Sequence, residues 1–239
     1  MSVTITSAAP TYDASMSHIR CRMYELQRRP IKLRSADWSV TAASYLANAG
    51  VTPNQVSVAS TLFAAAGAAA LLSTGVFPNQ IETIVGFVAA AVLIQLRLLC
   101  NMLDGLIAVE HGKATKSGDL YNEIPDRISD VILLVAAGYV ATGGQLSITL
   151  GWLAACLSLM TAYVRAFGAR YLDAQDFQGP MAKQHRMFAL TIGCLATALQ
   201  FAWTGNASVM TFTLGIIAAG TAFTAYRRTV HLKEVMEGK

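Results

Sequence analysis

Residues 83–103 read TIVGFVAAAVLIQLRLLCNML, an apolar run that contains a single charged side chain, Arg97. A helix of this length crosses the hydrocarbon core of a bilayer, which is about 30 Å thick and needs roughly 20 residues. Similar runs lie on both sides of it, separated by short stretches with glycine, proline or asparagine. The sequence therefore predicts an all-α membrane protein with six transmembrane helices, at about residues 56–74, 83–103, 128–143, 148–168, 187–203 and 209–226.

The composition of the chain agrees with this fold class. Of its 239 residues, 54% are hydrophobic and 13% are charged, whereas soluble domains carry about a quarter charged residues. These proportions exclude a soluble globular domain and a disordered chain. The formal net charge of +4 is too small to suggest a nucleic-acid partner.

Lysine and arginine occur in alternate connections between the apolar runs. The connections 75–82, 143–148 and 204–208 contain neither residue, whereas the other connections and both terminal segments are basic. Cytoplasmic loops of membrane proteins are enriched in lysine and arginine. The pattern predicts a multi-pass protein of a bacterial-type inner (cytoplasmic) membrane, with both termini and both long loops on the cytoplasmic side.

The segment before the first span has a different pattern. Trp38, Ala42, Tyr45 and Leu46 recur at helical spacing behind a basic stretch, which predicts an amphipathic helix on the anionic membrane surface. A short helix packed on the bundle is the alternative. The predicted organisation is a basic cytoplasmic segment (1–34), an interfacial helix (35–50), a six-helix domain (51–230) and a cytoplasmic tail (231–239).

Polar side chains concentrate where the second span ends and the third begins. Asn101, Asp104 and Ala108 share one face of a helix that continues the second span, and Gly105 leaves space beside that face. A connection centred on residues 112–118 leads to a second such helix, on which the spacing of four places three more polar side chains on one face. These are Asn122, Asp126 and Asp130.

Because the two faces belong to neighbouring helices, we expect them to oppose each other at the cytoplasmic end. Carboxylate and amide oxygens suit a hard cation such as Mg²⁺ or Mn²⁺, which would be shared with a diphosphate. Solvated acidic side chains in a loop are the alternative interpretation. Pro125 either kinks the second helix at this site or marks its first turn.

The same residues resemble a known signature. Residues 101–126 keep every spacing of the pattern D-x-x-D-G-x-x-A-R-x8-G-x-x-x-D-x-x-x-D, which is typical of CDP-alcohol phosphatidyltransferases. TPNQVS at 52–57 resembles the T-P-N-x-x-T/S element of that family, and GPMAKQHR at 179–186 resembles its G-P-x-x-K-x-x-R stretch. Three positions depart from the signature: Asn101 and Asn122 replace aspartates, and Val109 replaces the arginine.

The resemblance implies an integral membrane transferase of phospholipid biosynthesis that moves a phosphatidyl group from CDP-diacylglycerol, or a similar CDP-linked lipid, to an alcohol and releases CMP. It also implies a homodimer. With two carboxylates instead of four, we expect one tightly held Mg²⁺ or Mn²⁺ rather than two, or a second ion that binds only with the diphosphate. A catalytically silent lipid or nucleotide binder is the main alternative, and a transporter is a weaker one.

The resemblance also implies roles for individual residues. Asp126 would be the catalytic base, and Asp104, Asp126, Asn101 and Asn122 would hold the metal. Nucleotide binding would fall to Asp104, Gly105, Ala108, Gly118, Pro53 and Asn54. The phosphate of the acceptor would be bound by Lys183, Arg186 and Arg165, which are otherwise ordinary membrane-surface anchors. Glu123 and Asp130 would supply auxiliary negative charge.

Overall fold

The computed structural model describes residues 36–76, 79–110, 118–172 and 178–238. The predicted N-terminal segment 1–34 and most of the connection after the second span lie outside these residues. Within the described part the chain is entirely helical, so the predicted fold class is confirmed. Its seven helices are α1 (Asp37–Asn48), α2 (Pro53–Ser73), α3 (Gln80–Glu110), α4 (Gly118–Val140), α5 (Gln145–Gly168), α6 (Lys183–Thr204) and α7 (Ser208–Met236).

The six long helices form a closed ring. Neighbours around the ring follow the order α3, α2, α4, α5, α7 and α6, and α6 returns to α3. Glycines allow some of these helices to approach closely. A Cβ atom on Gly138 of α4 would lie 2.8 Å from the Ser147 carbonyl oxygen of α5, and one on Gly151 would lie 2.8 Å from the Leu134 carbonyl oxygen.

Five helices of the described chain are long and apolar enough to cross a membrane, namely α2, α3, α5, α6 and α7. The fourth helix, α4, is not among them because it carries charged residues that include Glu123, Asp126, Arg127 and Asp130. It is nevertheless a full member of the ring, in contact with α2, α5 and α7. The chain is thus a multi-pass membrane protein, and the count of six spans stays a prediction.

The helices extend beyond the predicted apolar runs at the ends that carry the basic residues. The second run continues as α3 to Glu110, and α4 begins at Gly118, so Pro125 lies inside the helix rather than in its first turn. The predicted boundary at residue 230 falls within α7, which continues to Met236 because Leu232 is still buried against the bundle. Polar residues near the membrane surface are therefore held on continuous helices.

The predicted segment 35–50 contains the helix α1 (Asp37–Asn48), which packs on α3 through a face that the sequence pattern did not indicate. The buried side chains are those of Ser39, Ala43 and Ala47. Trp38 and Tyr45 are instead 51% and 74% exposed. Small residues thus make the protein contact while the aromatic rings point outward, and their insertion into the membrane surface stays a prediction.

Helix α2 begins with a capping box. The Thr52 hydroxyl accepts a hydrogen bond from the Gln55 backbone N–H (3.3 Å), and the Gln55 side chain accepts one from the Thr52 backbone N–H (2.9 Å). Pro53 at the first helical position costs no hydrogen bond there. This local structure fixes where α2 starts and hence which of its side chains face α3.

Candidate active site

The two predicted polar faces meet across α3 and α4. The Asn101 side-chain amide donates a hydrogen bond of 2.8 Å to Oδ1 of Asp126. Asp104 lies one turn further along α3 and, like Asp126, is buried. The opposition of the two helix faces, which the sequence predicts from spacing alone, is thus present in the fold.

Helix α2 contributes two serines that the spacing argument did not assign to the site. The Ser57 hydroxyl donates a 2.6 Å hydrogen bond to Oδ2 of Asp104, and the Ser60 hydroxyl donates a 2.7 Å bond to Oδ1 of Asn101. Ser57 is the last residue of the T-P-N-x-x-S element, and this element is the feature of the sequence that could have assigned Ser57 to the site. The element therefore places a donor against the signature aspartate as well as starting a helix.

Asp126 lies among positive side chains. The Lys183 ammonium group, from the start of α6, forms an ion pair with Oδ2 of Asp126. Nη2 of Arg97 lies 3.5 Å from Oδ1 and 3.2 Å from the backbone carbonyl oxygen of the same residue. Together with Asn101, these groups surround the carboxylate and supply the partners that a buried charge requires.

Deeper in the bundle lies a buried triad formed by Arg97, Asp130 and Arg186. Asp130 accepts a 2.7 Å hydrogen bond from Arg97 at one oxygen and a 3.0 Å bond from Arg186 at the other. Arg186 also donates to the Met181 carbonyl oxygen (3.1 Å) and to the Thr161 hydroxyl (3.3 Å). No side chain of the triad is more than 1% exposed.

Two of the predicted roles therefore change. Arg186 was expected to bind an external phosphate, but its guanidinium group is directed into the protein. Asp130 was expected to add negative charge at the cation, but two arginines neutralise it. A buried charge needs a partner, and the partners of both residues lie on other helices. Arg186 and Asp130 therefore join helices to one another.

Glu123 lies near the mouth of the site, between two arginines. It pairs with Arg127 one turn along α4 (2.6 Å) and with Arg165 near the end of α5. Its side chain is nearly half exposed, while those of the two arginines are mostly buried. Glu123 thus neutralises neighbouring arginines, and does not add free negative charge to the metal site as expected.

The remaining predicted residues surround this centre. Asn122 is half-buried one turn before Asp126, and Gly105 is buried directly after Asp104. Half-buried positions at the nearby helix ends complete the set, namely Pro53 and Asn54 at the start of α2, Ala108 near the end of α3 and Gly118 at the start of α4.

The side chains predicted to hold a cation carry only oxygen donors or amides. Among the side chains that the structure describes, no three from histidine, cysteine, aspartate and glutamate converge as a metal site. The oxygens at hand belong to two carboxylates, Asp104 and Asp126, and two amides, Asn101 and Asn122. Oxygen ligands suit hard divalent cations such as Mg²⁺ and Mn²⁺.

Comparison with known proteins identifies the family. The profile of the CDP-alcohol phosphatidyltransferase family matches residues 50–226. The archaetidylinositol phosphate synthase of Methanothermobacter thermautotrophicus is 27% identical over 145 residues, which cover 61% of this chain and 70% of that protein. The chain therefore belongs to the CDP-alcohol phosphatidyltransferase family, and it is a membrane-bound transferase of phospholipid biosynthesis.

Solved structures share the fold. The phosphatidylinositol phosphate synthase of Mycobacterium tuberculosis with CDP-DAG bound superposes with a TM-score of 0.67 at 22% identity, over 82% of this chain and 94% of that chain. The same synthase in complex with manganese and citrate gives a TM-score of 0.66 at 22% identity, over 81% and 88% of the two chains. At this identity the likeness concerns the helical architecture.

Proposed function

We propose that this enzyme transfers a phosphatidyl group from CDP-diacylglycerol, or a similar CDP-linked lipid, to a phosphorylated alcohol and releases CMP. The observation that carries the proposal is the contact between Asn101 and Asp126, which brings the two halves of the family signature together across α3 and α4. The structure of a similar synthase with CDP-DAG bound supports the choice of lipid donor.

The chain has the ligands for one Mg²⁺ or Mn²⁺, with Asp104, Asp126 and the amide oxygens of Asn101 and Asn122 as its protein ligands. When bound, the cation would neutralise negative charge on the diphosphate. Ser57 and Ser60 keep Asp104 and Asn101 directed into the site. The manganese complex of the similar synthase is in keeping with this assignment.

Asp126 is the proposed general base. Its carboxylate takes the proton of the acceptor hydroxyl, whose oxygen forms a bond to the lipid-linked phosphorus. The bond from that phosphorus to the bridging oxygen breaks, and CMP leaves with the electron pair. Lys183, which is paired with the same carboxylate, adds positive charge beside the reacting phosphate.

The nucleotide is proposed to lie at the cytoplasmic ends of α3 and α4. Small residues at Gly105, Ala108 and Gly118 leave space for it beside Asp104. Pro53 and Asn54, at the start of α2, would cover it from the adjacent helix. Gly105 is buried, and the other four positions are half-buried near helix ends.

A phosphorylated acceptor is favoured by the accessible positive charge. Lys183 and Arg165 have side chains that are 24% and 17% exposed, whereas Arg186 is almost fully enclosed. We therefore assign the acceptor phosphate to Lys183 and Arg165, and a structural role to Arg186. The names of the relatives, which are synthases of inositol phosphate lipids, point to the same class of acceptor.

The proposal places both termini and the active site on the cytoplasmic side of the inner membrane. The chain is also proposed to be a homodimer. Two glycines that would permit close helix contacts are used within one chain. Gly67 lies against Leu133 and Leu93, and Gly86 lies against Thr74 and Ala70. A dimer would therefore use another surface.

A silent CDP-lipid binder is the second candidate, because Asn101 and Asn122 remove two carboxylates from the signature. The test is acceptor-dependent CMP release by the purified protein with CDP-diacylglycerol and Mn²⁺. We expect release with inositol phosphate or glycerol 3-phosphate, a lipid product by mass spectrometry, and none with EDTA. Binding of CDP-diacylglycerol without release for any alcohol, serine and inositol included, would favour the silent binder.

A further inference from the structure

Arg97 has no assigned role, although it is the one charged side chain inside the apolar run of α3. Its side chain is completely buried. A charge at this depth is costly and usually marks a functional or pairing requirement. What Arg97 contacts therefore indicates why the chain keeps it.

Within the described residues, the Arg97 side chain donates all its hydrogen bonds from one nitrogen, Nη2. It lies 2.7 Å from Oδ1 of Asp130, 3.2 Å from the backbone carbonyl oxygen of Asp126 and 3.5 Å from Oδ1 of Asp126. Nε and Nη1 are buried with no hydrogen-bond partner among the described residues. The guanidinium group is thus held against α4 by Nη2, while its other two nitrogens stay without hydrogen bonds to the described residues.

Neutralising Asp130 does not by itself account for this arrangement. Arg186 already forms an ion pair with the second oxygen of Asp130 at 3.0 Å. A second arginine adds an interaction that Arg186 does not make, namely the two contacts with Asp126. Among the described residues, Arg97 is the one that hydrogen-bonds to both Asp126 and Asp130, and its contact with Asp126 therefore explains it best.

We propose that Arg97 is a positioning residue, which holds Asp126 in place for catalysis from the α3 side. This inference rests on the proposed function, in which Asp126 is the base. Arg97 and Asn101 fix Oδ1 and the backbone of Asp126, so that Oδ2, on the Lys183 side, is directed to the acceptor hydroxyl. Small displacements of a catalytic group reduce turnover strongly.

The kinetic test compares Arg97→Met and Arg97→Lys with Arg227→Met, which removes an exposed arginine of α7. We expect Arg97→Met to lower kcat about 100-fold, with the KM for CDP-diacylglycerol within about threefold of wild type. Arg97→Lys should recover part of the loss, and Arg227→Met should leave kcat unchanged. Arg97→Met turning over at the wild-type rate would overturn the proposal.

The double variant Arg97→Met/Asp130→Asn separates positioning from charge balance, since it removes one charge of each sign and keeps an oxygen for Arg186. Positioning predicts that kcat stays low in a protein with a near-normal melting temperature. Recovery of kcat to within about threefold of wild type would show that Arg97 serves only Asp130, and the proposal would be wrong.

A binding measurement tests Arg97 without turnover. The double variant removes a positive charge 3.5 Å from the Asp126 carboxylate, so its affinity for Mn²⁺ alone, measured by electron paramagnetic resonance, should rise about threefold or more. Unchanged or weaker binding would overturn the Arg97 assignment. If wild-type protein released no CMP but this rise were seen, the proposed function would fail and the contact with Asp126 would stand.

Discussion

At the scale of single residues, the site is built from carboxylates whose partners come from other helices. Asp104 is held by Ser57 of α2, and Asp126 by Asn101 and Arg97 of α3 and Lys183 of α6. None of these partners is close in sequence to the residue it holds. The orientation of each carboxylate therefore depends on helix packing.

Replacing Ser57 by alanine should weaken the binding of CDP in the presence of Mn²⁺. The variant removes the 2.6 Å hydrogen bond to Asp104, and a hydrogen bond to a charged group contributes about 1.5–3 kcal/mol. We expect the Kd measured by calorimetry to rise about tenfold or more. Ser73→Ala, which removes a serine at the opposite end of the same helix, is the control, and an equal effect of both variants would contradict the assignment.

Replacing Asn101 by aspartate should make stability depend on the cation. The amide donates to Asp126 at 2.8 Å, and an aspartate in its place would put two carboxylates in contact. Without metal the like charges destabilise the fold, and we expect the Tm in EDTA to fall by about 4 °C or more.

Mn²⁺ binding between the two carboxylates should reverse this loss in the Asn101 variant. Ser73→Ala serves as a control whose Tm is insensitive to Mn²⁺. A variant at position 101 that melts at the wild-type temperature in EDTA would show that residue 101 does not face Asp126.

At the scale of elements, small residues set the spacing between helices. Gly138 and Gly151 bring α4 and α5 together near the turn that joins them, where an added Cβ atom would lie within 3.1 Å of the backbone of the other helix. Backbone atoms move less readily than side chains, so α4 has one well-packed position against α5. That position in turn fixes where Asp126 and Asp130 lie.

Gly138→Ala should therefore destabilise the protein. Its new methyl group would meet the Ser147 carbonyl oxygen at 2.8 Å, and overpacking of this kind costs about 1–3 kcal/mol. Thermal unfolding in detergent should show a lower Tm. Gly215→Ala in α7 is the matched control because nothing lies within 4 Å of its added methyl group; a fall of similar size there would indicate a general effect of replacing helical glycines.

At the scale of the whole molecule, polar contacts connect all six helices of the ring. Ser57 links α2 to α3, the buried triad links α3, α4 and α6, and Arg186 reaches Thr161 of α5. Arg228 of α7 closes the network with a 3.0 Å hydrogen bond to the Thr161 carbonyl oxygen. The site is thus the place where the helices of the bundle are joined.

The orientation of the bundle can be tested with cysteines added at exposed positions of a cysteine-free variant. Gln145→Cys lies at the turn between α4 and α5, and Glu237→Cys lies at the end of α7. The proposed orientation places the basic ends in the cytoplasm, so an impermeant maleimide should label position 145 and not position 237 in intact bacterial cells. Both should react after permeabilisation, and labelling of position 237 alone would reverse the topology.

The helices and the meeting of α3 with α4 could be predicted because both follow from local patterns. Apolar runs define the spans, and the spacing of Asn101, Asp104, Asn122 and Asp126 defines the two faces. The roles of Arg97, Lys183 and Arg186 depend on the order of helices in the ring, which hydropathy does not encode. Arg186 could be read as a phosphate ligand from its position in sequence, yet the packing of α6 against α3 turns it inward.

The most direct test of the central claim is acceptor-dependent CMP release by Asp126→Asn, compared with wild type and with Asp37→Asn on the exposed start of α1. The account predicts that Asp126→Asn releases CMP about 100-fold more slowly or not at all, since the general base is lost. The variant should remain folded, and Asp37→Asn should match wild type. An Asp126→Asn enzyme that turns over at the wild-type rate would contradict the proposed mechanism.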